Sequence, residues 1–227
     1  MRFTLDQIMT MVASTVNQEA ESPTSGTDDY NLWIEYINRA LNEWKNANDW
    51  EELKRNFTTT SVASQVSMGL PTNFDRLAGK PRISITGDPS NNDYKYVMTD
   101  PNDEYLLDSD QKYFEIYGDY SDGFYLQWNP ALTSGASINI LYYKCPESMS
   151  STGQYAIMED PLYLVDRTIA YIYESRADGR FSIEEAKARE RLMNMVESGN
   201  LKKYNSYAGR KPVQSTLTKL GFRVGRD

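Results

Sequence analysis

The chain has 227 residues, of which 40% are hydrophobic and 25% charged, a composition typical of a globular protein with an ordinary core. It contains no histidine and one cysteine, which excludes histidine-dependent nucleophiles, histidine-ligated zinc, internal disulfides and cysteine metal cages within the chain. These exclusions leave only carboxylate, lysine or tyrosine chemistry open to an enzyme, and the formal net charge of the chain is −8.

Two amphipathic helices are predicted at the N-terminus. The first begins at Thr4, runs to Glu21 before the turn-rich residues 22–26, and lacks the features of a secretory signal. The second follows Thr27 or Asp28 as its N-cap and ends within residues 46–49. Its apolar stripe consists of Tyr30, Trp33, Ile34, Ile37, Leu41 and Trp44. No segment reaches the ~20 consecutive apolar residues that span a bilayer, so we expect a protein used without export or a membrane.

The hydrophobic period changes from that of a helix to that of a strand near Leu53, which predicts a β block. Asp122 and Gly123 separate two aromatic segments and predict a tight hairpin turn. Ile138, Ile140 and Tyr142 are expected to share one face of a strand. Strands are predicted over 58–62, 66–70, 94–99, 112–117, 124–128 and 137–143.

Helical spacing returns after the β block and predicts two further helices. Asp160 is expected to cap the first, with Pro161 at the first helical position and Gly179 after its end. Residues 182–185 (SIEE) have the pattern of a capping box for the second helix. Gly199 is expected to terminate that helix.

The order of the elements predicts an α+β protein with an antiparallel helical core, an inserted antiparallel β domain and an extended C-terminal arm. The two N-terminal and two C-terminal helices form the core, because each has an apolar face that must be covered. In residue numbers, the helical core is 1–52 and 146–199, the β domain is 53–145 and the basic arm is 200–227.

The charge is divided unevenly along the chain. Residues 199–227 contain seven basic residues against Asp227 alone, a charge of +6, which leaves −14 on residues 1–198. The acidic body argues against a nucleic-acid-binding face, since neutralising phosphates needs clustered lysine and arginine. Apolar residues interleaved with the cations favour an arm that docks in a partner's groove over a tail that contacts DNA or stays disordered. The predicted docking residues are Lys202, Lys203, Arg210, Lys211, Val213, Leu217, Leu220, Phe222, Arg223, Val224 and Arg226.

No motif predicts a catalytic residue, a cofactor or a metal. The acidic stretch Asp100 to Asp110 fails the calcium-loop pattern, because the required glycine and terminal glutamate are missing in both registers. The glycine-rich phosphate cradles of nucleotide-binding proteins are also missing from the sequence. Paired carboxylates for glycoside hydrolysis have no local signature here, so a carboxylate hydrolase is the weakest hypothesis.

The aromatic residues of the β block have two interpretations. They could form a sugar-stacking face on a β module, or they could be sheet core and subunit contacts. We favour the second, since half-buried antiparallel sheets are rich in aromatics. The residues in question are Tyr113, Tyr117, Tyr120, Phe124, Tyr125 and Trp128.

A series of short segments follows an order known from one protein family. The segments are 34–44 (IEYINRALNEW), 50–53 (WEEL), 57–60 (FTTT), 70–74 (LPTNF), 126–130 (LQWNP) and 142–146 (YYKCP), followed by the two predicted C-terminal helices. Over about residues 30 to 198 this order resembles the head-to-tail adaptor (connector) proteins of tailed bacteriophages.

The resemblance implies a structural, non-enzymatic protein of the phage neck, assembled in the cytoplasm of the host bacterium. It implies a homo-oligomeric ring, a dodecamer, that binds the portal protein above and a tail or stopper protein below. DNA would pass through the lumen without specific binding, and the C-terminal segment would contact the portal. An acidic wall suits such a channel, because it repels phosphate at short range. A tail-tube or stopper component of the neck and a β module that binds carbohydrate or a receptor stay open as alternatives.

Overall fold

The computed structural model describes residues 2–17, 21–78, 84–86, 97–98, 113–132 and 137–207. In this part of the chain, helices precede and follow a set of strands, so the predicted α+β class is confirmed. The helices are α1 (Leu5–Val16), α2 (Asp28–Ala47), α3 (Leu162–Ser175) and α4 (Phe181–Tyr207). The strands are β1 (Lys54–Thr60), β2 (Gln65–Gly69), β3 (Phe74–Leu77), β4 (Ser84–Thr86), β5 (Val97–Met98), β6 (Tyr113–Asp119), β7 (Gly123–Leu132) and β8 (Ser137–Lys144).

Threonine caps fix the starts of α1 and α2 where the sequence predicts them. The Thr4 hydroxyl accepts the backbone N–H of Gln7 at 3.3 Å, and the Gln7 side chain accepts that of Thr4 at 3.0 Å. The Thr27 hydroxyl accepts the backbone N–H of Tyr30 at 3.3 Å. α1 ends at Val16, earlier than predicted, because the helical spacing of apolar residues stops there.

α3 is the central helix of the helical core. It packs against α1, α2 and α4, so it is buried on several sides. Trp33 and Trp44 of α2 and three tyrosines of α3 (Tyr163, Tyr171 and Tyr173) are among the largest fully buried side chains. Trp50 stacks on Trp44 with ring centroids 4.9 Å apart and donates its indole N–H to the Trp44 carbonyl at 2.6 Å. The stack packs the residues that follow α2 against the helical core.

The strands form two small sheets. In the first sheet, β8 pairs with β1 on one side and with β3 and β4 on the other, all antiparallel. The second sheet has the order β2-β7-β6-β5, antiparallel apart from the β5–β6 pair. A second apolar core joins the sheets and is formed by Leu70, Phe74, Phe114, Leu126, Trp128, Ile138, Ile140 and Tyr142. The shared face predicted for the last three of these residues is confirmed.

The hairpin between β6 and β7 forms where Asp122 and Gly123 predict it. The Asp119 carboxylate accepts the backbone N–H groups of Ser121 and Asp122 at 2.7 and 2.8 Å and so fixes the turn. At the base of the turn, Gly118 has φ of +103°, and a Cβ there would lie 2.1 Å from the Gly123 carbonyl oxygen. Only glycine fits this position without moving the opposite strand.

Gly118→Ala is therefore expected to destabilise the protein by about 2 kcal/mol or more, since it adds backbone strain and a clash with main chain. Gly153→Ala is the matched control, because nothing lies within 4 Å of the added methyl group at that position. Urea denaturation of both variants measures the difference. Equal midpoints for the two variants would contradict the strain argument.

α4 differs from its predicted limits at both ends. It begins at Phe181, because the Asp178 carboxylate accepts the backbone N–H of Arg180 at 2.9 Å and turns the chain one residue before the predicted SIEE box. Gly199 does not end the helix, which continues to Tyr207. A Cβ on Gly199 would lie 3.2 Å from the Asn48 side chain and 3.6 Å from the Trp50 ring, so this glycine allows close packing.

Candidate functional site

The predicted docking residues of the C-terminal arm fall into two groups. Lys202 and Lys203 lie in the last part of α4, so they belong to a helix and not to an extended segment. This difference arises because Gly199 lies within α4 and does not end it, so the helix continues through Lys202 and Lys203. The other nine, Arg210, Lys211, Val213, Leu217, Leu220, Phe222, Arg223, Val224 and Arg226, lie outside the described residues.

Glu43 is the centre of a polar network that joins α2, α3 and α4. Arg167 binds both of its carboxylate oxygens, at 2.7 and 3.2 Å, and the Tyr171 hydroxyl donates to the same group. The Tyr163 hydroxyl contacts it at 3.4 Å. Arg167 also lies 3.8 Å from Glu185 of α4, so one guanidinium links carboxylates of two helices.

The network holds its groups in fixed protonation states near neutral pH. Burial alone would raise the pKa of Glu43, but the bonds from Arg167 and Tyr171 outweigh it and lower the pKa below its ordinary value. Burial and the bond to Glu43 raise the pKa of Tyr171 to about 12. Burial likewise raises the pKa of Tyr163. A small cleft of about 140 Å³ borders the network, but none of these groups is poised to exchange a proton near pH 7.

Glu43→Gln is expected to lower the free energy of unfolding by about 1 kcal/mol at pH 7, since Glu43 is partly exposed and its charge-assisted bonds are weakened by solvent. Because the folded pKa is lowered, Glu43 contributes stability above its ordinary pKa and loses it as the pH falls through the folded value. The gap between the variant and the wild type should therefore close below about pH 4. Denaturation at a series of pH values measures this, with exposed Glu35→Gln on the same helix as the control.

A second polar cluster joins α2 to both sheets around one buried ion pair, and we call it the interdomain latch. It consists of Lys45 on α2, Asp75 and Arg76 on β3, Tyr120 in the β6–β7 turn, and Asp49 after α2. The Lys45 ammonium lies 2.6 Å from the Asp75 carboxylate, and their side chains are only 11% and 5% exposed. The Tyr120 hydroxyl donates to the same Asp75 oxygen at 2.7 Å, and Arg76 bridges Asp75 and Asp49. The latch therefore ties the helical core to the first sheet through Asp75 and to the second through Tyr120.

Every charge in the latch has a partner. Burial would raise the pKa of Asp75, but the bonds from Lys45 and Tyr120 outweigh it, so the pKa lies below its ordinary value. Burial would lower the pKa of Lys45, but Asp75 outweighs it and raises the pKa. Lys45 also lies 3.5 Å from the Cys145 sulfur, which places the only cysteine of the chain beside a buried cation.

The predicted aromatic surface is divided by the structure between core and solvent. Trp128 is buried between the sheets, with its indole N–H donated to the Gln65 carbonyl at 2.8 Å, and Phe124 packs against the same core. Tyr117 and Tyr125 remain 41% and 39% exposed on the opposite face and stack with ring centroids 5.4 Å apart. The aromatic residues thus do not share one exposed face, and the sheet-core interpretation of Trp128 is confirmed.

Acidic side chains without ion-pair partners lie on the outside of the helical core. Asp28, Asp29 and Glu35 are exposed on α2, and Glu190 and Glu197 are exposed on α4. None of the five forms an ion pair with a residue in the described part of the chain. Asp28 and Asp29 also stabilise the first turn of α2, since the positive end of a helix dipole attracts carboxylates. Part of the negative charge of the body is therefore free to act on neighbouring molecules.

Sequence reasoning did not identify the latch or the Glu43 network. One signal for the latch was present, because Lys45 follows Trp44 and lies on the buried side of α2. A lysine on an apolar face needs an acidic partner. The identity of that partner depends on the fold, since Asp75 is thirty residues away and belongs to a strand that the hydrophobic pattern does not show.

The comparisons with known proteins do not identify a family. No family model matches the chain, and no curated protein is similar enough to count as a relative. Within the described residues, no group of three or more metal-ligating side chains is present. No helix among those residues is long and apolar enough to cross a membrane. The function is therefore argued from the sequence pattern and the geometry of the chain.

Proposed function

We propose that this protein is a non-enzymatic structural component of a tailed-phage virion, a head-to-tail adaptor of the neck. It forms a homo-oligomeric ring, a dodecamer, that binds the portal protein on one side and a tail or stopper protein on the other. The ring joins the capsid to the tail and lets DNA pass through its lumen. The α+β fold supports the proposal, because helices precede and follow the strands in the order that the sequence resemblance implies.

The distribution of charge is the observation that carries the proposal. Residues 1–198 have a net charge of −14, and part of that excess lies exposed on α2. Screening limits the field of each carboxylate to about 8 Å at physiological salt, so an acidic wall repels DNA only at close approach. DNA can then slide past without binding. The segment that follows α4 contains five basic residues against Asp227 alone, and this excess of positive charge suits binding to a protein partner.

Apolar side chains that are exposed on the described surface suit contacts between subunits. Val62 and Val66 flank the β1–β2 turn, and Leu141 is exposed on β8. Interfaces of homo-oligomers are richer in apolar surface than the rest of a protein exterior, so such residues suit a ring.

The mass of the assembled species tests the ring. Light scattering of the purified protein, alone and mixed with portal rings of the same phage, is expected to show a homo-oligomer and a larger complex. Negative-stain images of the complex should place the protein as a ring on one side of the portal. A protein that stays monomeric and does not bind portal rings would overturn the proposal.

Two alternatives predict different results in simple experiments. A tail-tube or stopper component would also form a ring, but micrographs of particles would place it further from the head. A β module that binds carbohydrate would need exposed rings, and only the Tyr117–Tyr125 pair offers a stacked exposed surface among the described aromatics. Glycan-array binding that is lost on Tyr125→Ala would favour that alternative.

A further inference from the structure

The outer face of α4 has a shallow depression with an apolar floor and an acidic rim. Its volume is about 640 Å³, and those of its lining residues that the structure describes all belong to α4. Phe181, Ala186 and Met193 supply apolar surface, and the Met193 side chain is 60% exposed. A methionine this exposed in the middle of a long helix leaves apolar area in water, which a ligand could cover.

The rim of the depression has an excess of negative charge. Arg189 is neutralised by Glu185, whose carboxylate lies 3.0 Å away. Glu190 and Glu197 stand on either side of Met193 in the sequence and form no ion pair with any described residue. An occupant that complements this surface must combine apolar side chains with several cations.

The last twenty residues of this chain have that composition. Residues 208–227 contain five cations against Asp227, and Val213, Leu217, Leu220, Phe222 and Val224 are interleaved with them. The described chain ends at Tyr207, at the C-terminal end of the same helix that bears the depression. We infer that residues 208–227 dock on the depression of α4 in the same subunit, with the apolar side chains on its floor and the cations against Glu190 and Glu197.

Residues 208–227 are long enough to fold back along α4 and reach the depression. Twenty extended residues span at most about 70 Å. Along a helix that rises 1.5 Å per residue, Met193 lies only about 21 Å and Phe181 about 39 Å from Tyr207. A tethered segment also experiences an effective concentration near the millimolar range, which favours its own subunit over a neighbour. The inference goes beyond the proposed function, because it concerns the free protein and needs no portal.

Chemical cross-linking of the full-length protein tests the inference directly. A carbodiimide joins lysine amines to carboxylates in contact, and an equal mixture of ¹⁵N-labelled and unlabelled chains distinguishes bonds within one chain from bonds between chains. We expect links from Lys211 or Lys219 to Glu190 or Glu197, each carrying a single label type. Met193→Arg should reduce their yield at least about tenfold, since it removes the apolar floor and puts there a cation that repels the basic segment.

Ile183→Arg is the matched control, because Ile183 is also exposed on α4 but lies outside the depression. It adds the same charge and should leave the cross-links unchanged. Thermal unfolding by circular dichroism establishes that both variants remain folded. Absence of these links in the wild type, links of mixed label, or unchanged links in Met193→Arg would each overturn the inference. Portal binding plays no part in this measurement, so the proposed function can fail independently.

Discussion

Asp75→Ala is expected to lower the free energy of unfolding by about 3–5 kcal/mol, because it leaves the buried Lys45 ammonium without its carboxylate. The two groups lie 2.6 Å apart, and their side chains are almost fully removed from solvent. The same substitution removes the acceptor of the Tyr120 hydroxyl and a partner of Arg76. The loss therefore affects the contacts of both sheets with α2, and urea denaturation measures it.

Removing both charges of the Lys45–Asp75 pair should lower the free energy of unfolding much less than removing Asp75 alone. In Lys45→Met/Asp75→Leu no charge is left unpaired, and two apolar side chains fill the space between α2 and β3. Such replacements of buried ion pairs are often neutral or stabilising, so we expect most of the lost stability to return. A double variant as unstable as Asp75→Ala would mean that packing or the Tyr120 bond, rather than the unpaired charge, accounts for the loss.

An exposed ion pair provides the comparison for the latch. Glu51 lies 3.4 Å from Lys54 in a pair that is largely open to solvent. Glu51→Ala is expected to change the free energy of unfolding by less than about 1 kcal/mol, because solvent screens exposed pairs. A loss in Glu51→Ala equal to that in Asp75→Ala would show that burial does not determine the strength of the latch.

The contribution of the latch to the free energy of unfolding is expected to depend on pH. The lowered pKa of Asp75 means that its contribution to stability is present above the ordinary aspartate pKa and is lost as the pH falls through the folded value. The raised pKa of Lys45 means that its contribution is complete below the ordinary lysine pKa and is lost as the pH rises through the folded value. The stability difference between the wild type and Lys45→Met/Asp75→Leu should therefore be constant between about pH 4 and pH 10 and change outside it.

Features encoded by neighbouring residues were predictable from the sequence. Thr27 caps α2 because its hydroxyl reaches the backbone of Tyr30, three residues on. The β6–β7 hairpin follows from Asp122 and Gly123, and the buried face of β8 follows from simple alternation. In each case the decisive contact lies within a few positions of the chain, so the local pattern determines the result.

Features that depend on distant contacts were not predictable. β3 is only four residues long and contains two adjacent charged residues, Asp75 and Arg76, so it lacks the alternating pattern that predicts a strand. The pairing of Asp75 with Lys45 of α2 appears only in the folded structure. Gly199 has the sequence signal of a helix end, but contact with Trp50 gives it a packing role inside α4. The Glu43 network combines residues more than a hundred positions apart. The sequence shows such residue types but not which of them meet.

The continuation of α4 changes how the role of the C-terminal segment should be tested. A chain ended after Gly199 would lose the last part of α4 together with the arm, and a loss of binding could then reflect damage to the body. A chain ended after Tyr207 keeps the whole helix and removes five cations and the interleaved apolar residues. We expect this shorter chain to stay folded and to assemble into the same ring, but to lose portal attachment.

The loss of attachment should be at least about a hundredfold in dissociation constant, a free energy of about 2.7 kcal/mol, since an arm that docks in a groove concentrates its binding energy in a few apolar anchors. Full-length Leu217→Ala/Leu220→Ala/Phe222→Ala should reproduce most of this loss, whereas Lys219→Gln should mainly reduce the salt dependence of binding. Sedimentation with portal rings at two salt concentrations measures both effects. Attachment retained by the chain that ends at Tyr207 would assign portal binding to the body and leave the basic segment without a role in attachment.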